Sequence, residues 1–237
     1  MHAILHRASA LLLPCQCVSC RQFSETTGLC ADCWSELSPV TSPFCQHCGL
    51  PLAEQLDDGI CAGCWAAPPA MTRIRTALRY DDSSRELILK LKHGDALQLV
   101  PFISRLMAGR FAELTTDDPL VVPIPLHRWR YWRRRFNQSA ELARHLCQHY
   151  GRGIYDAGLL VRRRATKSQG GLSRHARKRN LAGAFATSPE SAERLANRSV
   201  LLIDDVMTTG ATLQAATACL LRAGASEVRA LTIARVI

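Results

Sequence analysis

Between Val200 and Thr212 the chain reads Val-Leu-Leu-Ile-Asp-Asp-Val-Met-Thr-Thr-Gly-Ala-Thr: an apolar strand ending in two carboxylates, then a hydroxyl-rich turn with a glycine, then a helix start. Each part suits one task. Backbone N–H groups at a helix start lack intrahelical partners and sit at the positive end of the helix dipole, so Thr208, Thr209, Gly210, Ala211 and Thr212 can wrap a phosphate. Gly210 lets the backbone come close or take positive φ. Asp204 and Asp205 would repel that phosphate, yet they suit a ribose beside it, whose vicinal diol donates to carboxylates, and they can orient hydrated Mg2+. The carboxyl end of a parallel strand is where open α/β sheets bind ligands. The plainer alternative, a capping Asp205 and a turn-shaping Thr208, would require neither both acids nor the whole Thr-Thr-Gly-x-Thr run.

A second chemistry sits at the other end. Of 11 cysteines, nine precede residue 65, and eight form four Cys-x-x-Cys pairs: Cys17 with Cys20, Cys30 with Cys33, Cys45 with Cys48, Cys61 with Cys64. Such a turn points two thiolates at one ion, and two turns complete the tetrahedron zinc accepts. Assigning successive pairs to one ion each gives a double zinc ribbon with two structural Zn2+ sites; a crossed pairing is the other arrangement. Disulfides, a redox dithiol and an iron–sulfur cluster are the competing uses, but four repeated pairs beside Gly28, Gly49 and Gly63 are similar to zinc knuckles. Cys15 is left over and could substitute for Cys17, while Cys147 and Cys219 fall in apolar helical patterns as core residues.

Charge is uneven beneath the net +10. Residues 1–70 hold two arginines against six acids, whereas residues 126–180 hold 15 basic residues against Glu141 and Asp156. A field of that sign attracts polyphosphate or nucleic acid; a merely solvated basic face is the plain reading. No run reaches the roughly 18 to 20 apolar residues of a membrane span, so no membrane insertion is expected. The apolar run before Pro14 is short for a secretory signal, and a cytoplasmic location is expected.

The elements that must position these groups follow from patterning. Ala66-Ala-Pro-Pro-Ala70 marks a boundary, giving an expected zinc module over 1–68 and a second domain over 71–237. Ile74–Tyr80 alternates as a strand, Ser83 with Glu86 predicts a capping box, and helices are predicted over 96–114, with Pro101 as a break or restart, and over 138–150. Leu120–Ile124 and Val200–Ile203 read as buried strands, a helix spans about 211–223 and closes at Gly224, and Val228–Val236 is a last strand. Strands alternating with helices predict an α/β fold, a parallel sheet covered on both faces.

The 200–212 segment resembles the signature by which type I phosphoribosyltransferases bind 5-phosphoribosyl 1-pyrophosphate (PRPP). Further segments narrow the likeness: Leu11-Leu-Leu-Pro14, Pro43-Phe-Cys-Gln-His-Cys-Gly49, Val122-Pro-Ile-Pro-Leu-His127, Arg133-Arg-Arg-Phe-Asn-Gln-Ser139, and Arg164-Ala-Thr through Gln169 to Asn180-Leu-Ala-Gly-Ala-Phe185. Together they resemble the ComF/GntX family, which is associated with DNA uptake in competence or with DNA as a nutrient. The resemblance implies a type I phosphoribosyltransferase-like sheet, ribose contacts from Asp204 and Asp205, and the 5′-phosphate on Thr208–Thr212. It implies Mg2+ with PRPP or another ribose-phosphate nucleotide, and a pyrophosphate or anion loop with Pro123, Pro125, Arg128, Arg134, Asn137 and Gln138. It further implies a closing loop with Thr166, Gln169, Arg174, Arg177, Arg179 and Asn180. The basic stretch and the zinc ribbons motivate single-stranded DNA as a partner, and the resemblance suggests a helicase-like protein. Two departures stand out: Arg135 replaces the glycine usual in Arg-Gly-Phe-Asn-Gln, and Thr208 stands where purine-salvage relatives carry an acid, so purine salvage by that base is not expected.

Overall fold

The computed structural model of the 237-residue chain describes residues 15–24, 28–93, 97–126, 136–163, 183–188 and 190–237. Strands β1 (Arg73–Arg79), β2 (Leu120–Pro123), β3 (Ile154–Tyr155), β6 (Ser199–Met207) and β7 (Glu227–Arg235) form a five-stranded sheet in the order β1-β7-β6-β2-β3, with every pairing parallel. β4 (Leu160–Arg162) and β5 (Phe185–Thr187) make a separate antiparallel ribbon. The α/β class expected from the alternation of patterns is the one observed.

Period-two alternation along β6 explains its burial. Leu201 and Ile203 pack into one layer, Val200 and Leu202 into the other, and all four are fully buried, which is why the segment reads as an unbroken apolar run. The first layer holds α3 (Asp82–His93), α4 (Leu99–Leu114) and α5 (Gln138–Tyr150), through Leu87, Ile103, Phe111, Leu142 and Leu146. The second holds α6 (Ser191–Leu195) and α7 (Ala211–Arg222), through Leu195, Leu213, Ala216 and Leu220. Burying one such large side chain contributes roughly 1.5–3 kcal/mol. The two layers therefore fix the carboxyl ends of β2 and β6.

Those two strand ends coincide with a reversal of strand order. From β2 the chain passes through α5 in the first layer to the outer strand β3, whereas from β6 it passes through α7 in the second layer to β7 on the other side. Connections leaving in opposite directions open a crevice between the neighbouring ends of β2 and β6. Pro123 and Pro125 lie on one side of it and Asp204–Thr212 on the other.

The cysteine-rich part lies along the free edge of β1. Ile74 N donates to His47 O at 2.7 Å, Val40 N to Ala77 O at 2.9 Å and Arg79 N to Ser38 O at 2.8 Å, so an edge that could pair with another chain is covered. Buried Arg75 donates to Glu113 Oε1 at 2.7 Å and Gln46 O at 2.9 Å, and its guanidinium lies 5.0 Å from the Phe44 ring centre. Both apolar layers take in side chains from this part: Cys17, Leu29 and Leu37 join the first, and Cys45, Cys48, Cys61 and Cys64 the second.

Several local expectations are corrected. The cap of α3 is not Ser83 with Glu86 but Asp81 with Ser84: Ser84 N donates to Asp81 Oδ1 and Asp81 N to Ser84 Oγ, each at 2.9 Å. Glu86 pairs instead with Lys90 at 2.6 Å. Helix α4 begins at Leu99 and runs through Pro101, whose missing N–H falls in the first turn, where it has no intrahelical acceptor to lose. β6 does not stop at Ile203 but carries both acids on to Met207, because β7 keeps pairing with it to Arg235.

Candidate ribose-phosphate cradle and metal centres

Residues of each zinc-type cluster come from successive pairs. Cys17, Cys20, Cys30 and Cys33 form one, Cys45, Cys48, Cys61 and Cys64 the other, and within each all sulfurs lie within 4.8 Å of one another. The sequential arrangement is the one the fold builds, not the crossed one. Sγ of Cys20 and Cys30 are 3.7 Å apart, as are those of Cys48 and Cys61. That matches the edge of a tetrahedron with bonds of about 2.3 Å, which is about 3.8 Å, and is far from a disulfide bond of about 2.05 Å. All eight thiols are free. The donor set fits zinc.

Local structure aims the thiols. Cys30 and Cys61 are the N-caps of two short helices, α1 (Ala31–Ser35) and α2 (Ala62–Ala66), and Cys61 N donates to Cys45 Sγ at 3.3 Å. Burial opposes ionisation of Cys17, but backbone N–H donors at Cys30, Cys20 and Ser19 outweigh it and bring the thiol down to about 6. Burial and then the neighbouring thiols push Cys33 up to about 12, so a cation is what lets all four ionise together. Gly49 follows Cys48 at φ +67, and a Cβ there would lie 2.6 Å from Ile74 O. Only glycine fits that approach. Cys15 stands outside both clusters, and Cys147 and Cys219 are buried in α5 and α7.

At the crevice, alternation along β6 sends the two acids to different layers. Asp205 faces α3 and α5: its Oδ2 accepts from Gln138 Nε2 at 2.8 Å and from Lys92 Nζ at 3.0 Å. Asp204 Oδ1 accepts from Asp205 N at 2.9 Å. Burial, then the Asp205 charge, push Asp204 up to about 7, with Lys92 and Arg162 pulling against that shift.

The turn after the acids is built as a cradle. Gly210 caps α7 at φ +72, and a Cβ there would meet only Met207 Sδ, at 3.7 Å, so glycine is required by the left-handed backbone and leaves open space above it. Thr209 Oγ1 is buried and has no hydrogen-bond partner among the described residues; Thr208 is exposed, and Ala211 and Thr212 open the helix. On the facing loop, Asn137 caps α5 by accepting from Ser139 N at 3.1 Å and donates to Ile124 O at 3.0 Å, which ties the Pro123–Pro125 turn to the helix. Gln138 thus reaches Asp205, and Asn137 holds the loop. Arg128, Arg134, Thr166, Gln169, Arg174, Arg177, Arg179 and Asn180 lie outside the described residues. Lys92 was not foreseen, because a lysine near the end of an amphipathic helix has the same local pattern as a solvated one. Among the described residues no helix is long and apolar enough to cross a membrane.

Comparison with known proteins gives both halves a family. The double zinc ribbon domain matches residues 8–65 and the phosphoribosyl transferase domain residues 139–236. DNA utilization protein YhgH of Escherichia coli (strain K12) is 33% identical over 217 residues, covering 88% of this chain and 90% of that protein. Competence protein F of Haemophilus influenzae is 30% identical over 228 residues, 93% and 96% of the two chains, and competence protein ComFC of Bacillus subtilis 30% over 220 residues, 87% and 84%. Among solved structures, the glutamine PRPP amidotransferase of B. subtilis aligns at a TM-score of 0.40 and 16% identity, over 61% of this chain and 30% of that one. With two four-cysteine clusters, a phosphoribosyltransferase domain and near full-length relatives at 30–33% identity, the chain belongs to the ComF/GntX family.

Proposed function

We propose that this chain binds PRPP at the crevice between β2 and β6 and transfers phosphoribosyl between pyrophosphate and a nitrogen nucleophile, in the service of DNA uptake or utilisation. The observation that carries the reading is the pairing of two acids with a left-handed glycine turn and a helix N-terminus at the reversal of strand order. The amides of Thr208–Thr212 and the Thr209 hydroxyl would take the 5′-phosphate, and Asp204 and Asp205 the ribose diol. Pyrophosphate would lie by Pro123–Pro125, with Arg128 and Arg134 offsetting its charge, and the segment with Thr166, Gln169, Arg174, Arg177, Arg179 and Asn180 would close over it. Mg2+ bound with PRPP would neutralise the leaving group, and the oxygen-only donors Asp204 and Asp205 suit such a hard cation. As the nitrogen's lone pair forms its bond to C1 of the ribose, the C1–O bond breaks and pyrophosphate leaves with the electrons of that C1–O bond; the nitrogen's proton passes to water. Calorimetric titration with Mg2+ and PRPP tests this: saturable binding is expected, and no binding at millimolar PRPP would refute it.

The 15 basic residues of 126–180 favour a second reading, a non-catalytic protein that holds single-stranded DNA or senses a nucleotide through the same pocket. It predicts DNA binding that falls steeply with salt. Fluorescence anisotropy showing no binding even at low salt would eliminate it.

A further inference from the structure

We infer that Lys92 is the positioning residue for the ribose end of the pocket: it holds Asp205 by Oδ2 so that Oδ1 is turned to a sugar hydroxyl. The inference deepens the ribose-phosphate reading and rests on it. Lys92 comes from α3, ahead of every residue assigned to the cradle, and reaches Asp205 across the first layer. Its Nζ and Gln138 Nε2 meet the same oxygen, at 3.0 and 2.8 Å. Two donors on one oxygen fix the carboxylate's rotation, and the second oxygen is the one available to a ligand.

Gln138 supplies direction, but only Lys92 supplies charge. The side chains of Lys92 and Asp205 are 18% and 15% exposed, so water is a poor substitute for the pair. Asp204 is the neighbouring like charge, with its carboxyl against the Asp205 amide. Arg162, at the end of β4, bears on Asp204, and Gln138 is neutral, so among the described groups facing Asp205 it is Lys92 that offsets its charge directly. Without it the Asp205 carboxylate keeps only Gln138 as a donor on Oδ2 and is no longer fixed in rotation.

Helix geometry explains how α3 can be held rigidly enough for this. Residues two apart on a helix point about 200° apart. Lys90 accordingly projects to the other side, where it donates to Ser19 O between zinc ligands Cys17 and Cys20 and pairs with Glu86. Leu91 between them is fully buried. The helix is anchored on the first cysteine ribbon by one lysine and on the acid pair by the other.

The test compares wild type, Lys92→Gln, Lys92→Met, Lys92→Arg and Lys90→Met in calorimetric titrations with Mg2+ and PRPP from pH 6 to 9. Removing the charge is expected to weaken binding about tenfold in Lys92→Gln, which keeps a donor, and about thirtyfold in Lys92→Met. In both, the pH at which affinity is half maximal should move upward, because Asp204 then loses the pull of the lysine and holds its proton more firmly. Lys92→Arg should keep the wild-type pH profile, and Lys90→Met, which loosens the helix but leaves the Lys92–Asp205 pair in place, should lose less affinity than Lys92→Gln and keep the profile. Wild-type affinity and profile in a folded Lys92→Gln would overturn the inference, as would a loss in Lys90→Met equal to that in Lys92→Met, since helix support rather than charge would then be responsible. Absence of PRPP binding by wild type is a different result and would remove the parent reading together with this one.

Discussion

In the cysteine clusters, four identical side chains converge within 4.8 Å and each group closes on itself. In the cradle, two identical acids are sent to opposite layers by the pleat and acquire different neighbours: Lys92 and Gln138 for Asp205, the Asp205 amide for Asp204. The first arrangement consumes its charge in binding one ion and contributes to folding. The second leaves a carboxylate oxygen, a helix N-terminus and a Thr209 hydroxyl with no hydrogen-bond partner among the described residues. Damage to the clusters should therefore be global and damage to the cradle local.

The largest expected effect is on the clusters. Metal binding in zinc-finger peptides contributes about 10–16 kcal/mol to folding, and the second cluster is part of the apolar layer under the sheet. Cys61→Ser should release one equivalent of zinc and lower the melting temperature by ten degrees or more, on the order of several kcal/mol; unchanged zinc content would break the comparison. Next comes the cradle. Asp204→Asn combined with Asp205→Asn should weaken PRPP binding at least about a hundredfold, as two hydrogen bonds to charged groups are lost, with a smaller fall in melting temperature than Cys61→Ser because only the Lys92 pair is broken. A large loss of stability would place these acids with the structural groups.

Two glycines sharpen the contrast. Gly49→Ala forces a Cβ to 2.6 Å from Ile74 O at φ +67 and should cost about 1–3 kcal/mol, seen in urea denaturation. Gly210→Ala has room, with Met207 Sδ 3.7 Å away, so it should cost only about 1 kcal/mol of stability for its left-handed backbone while impairing phosphate binding more than Gly49→Ala does.

The last expected effect is a slope. Asp204 titrates at about 7 in the folded chain against an ordinary 3.8, so between those values the folded state holds the extra proton. Stability contributed by this group therefore falls as pH rises from about 4 to about 7 and levels off above. Asp204→Asn should flatten that slope in denaturant midpoints measured across the range.

The two regions also differ in how far the sequence exposes them. Cys-x-x-Cys spacing reveals ligand identity, because the constraint is local, and the fold then selects sequential over crossed pairing by setting Cys17, Cys30 and Cys33 against one apolar layer and Cys45, Cys48, Cys61 and Cys64 in the other. The β6 strand, the turn at Gly210 and helix α7 were legible for the same reason. What the sequence did not disclose is long-range: Lys92 lies more than a hundred residues before Asp205, and its helix looks like any amphipathic surface helix. Short pieces such as β3 and the β4–β5 ribbon carry too few residues for a period to register. The cap of α3 was misplaced by two residues because Asp81, Asp82, Ser83 and Ser84 are all good capping types, and only tertiary packing chooses among them.

A crystal structure of the chain soaked with Mg2+ and PRPP tests the cradle most directly. The account predicts the 5′-phosphate on the amides of Thr208–Thr212, with the ribose hydroxyls within hydrogen-bond distance of Asp204 and Asp205. Phosphate density among the arginines of 126–180, with no sugar at the end of β6, would contradict it.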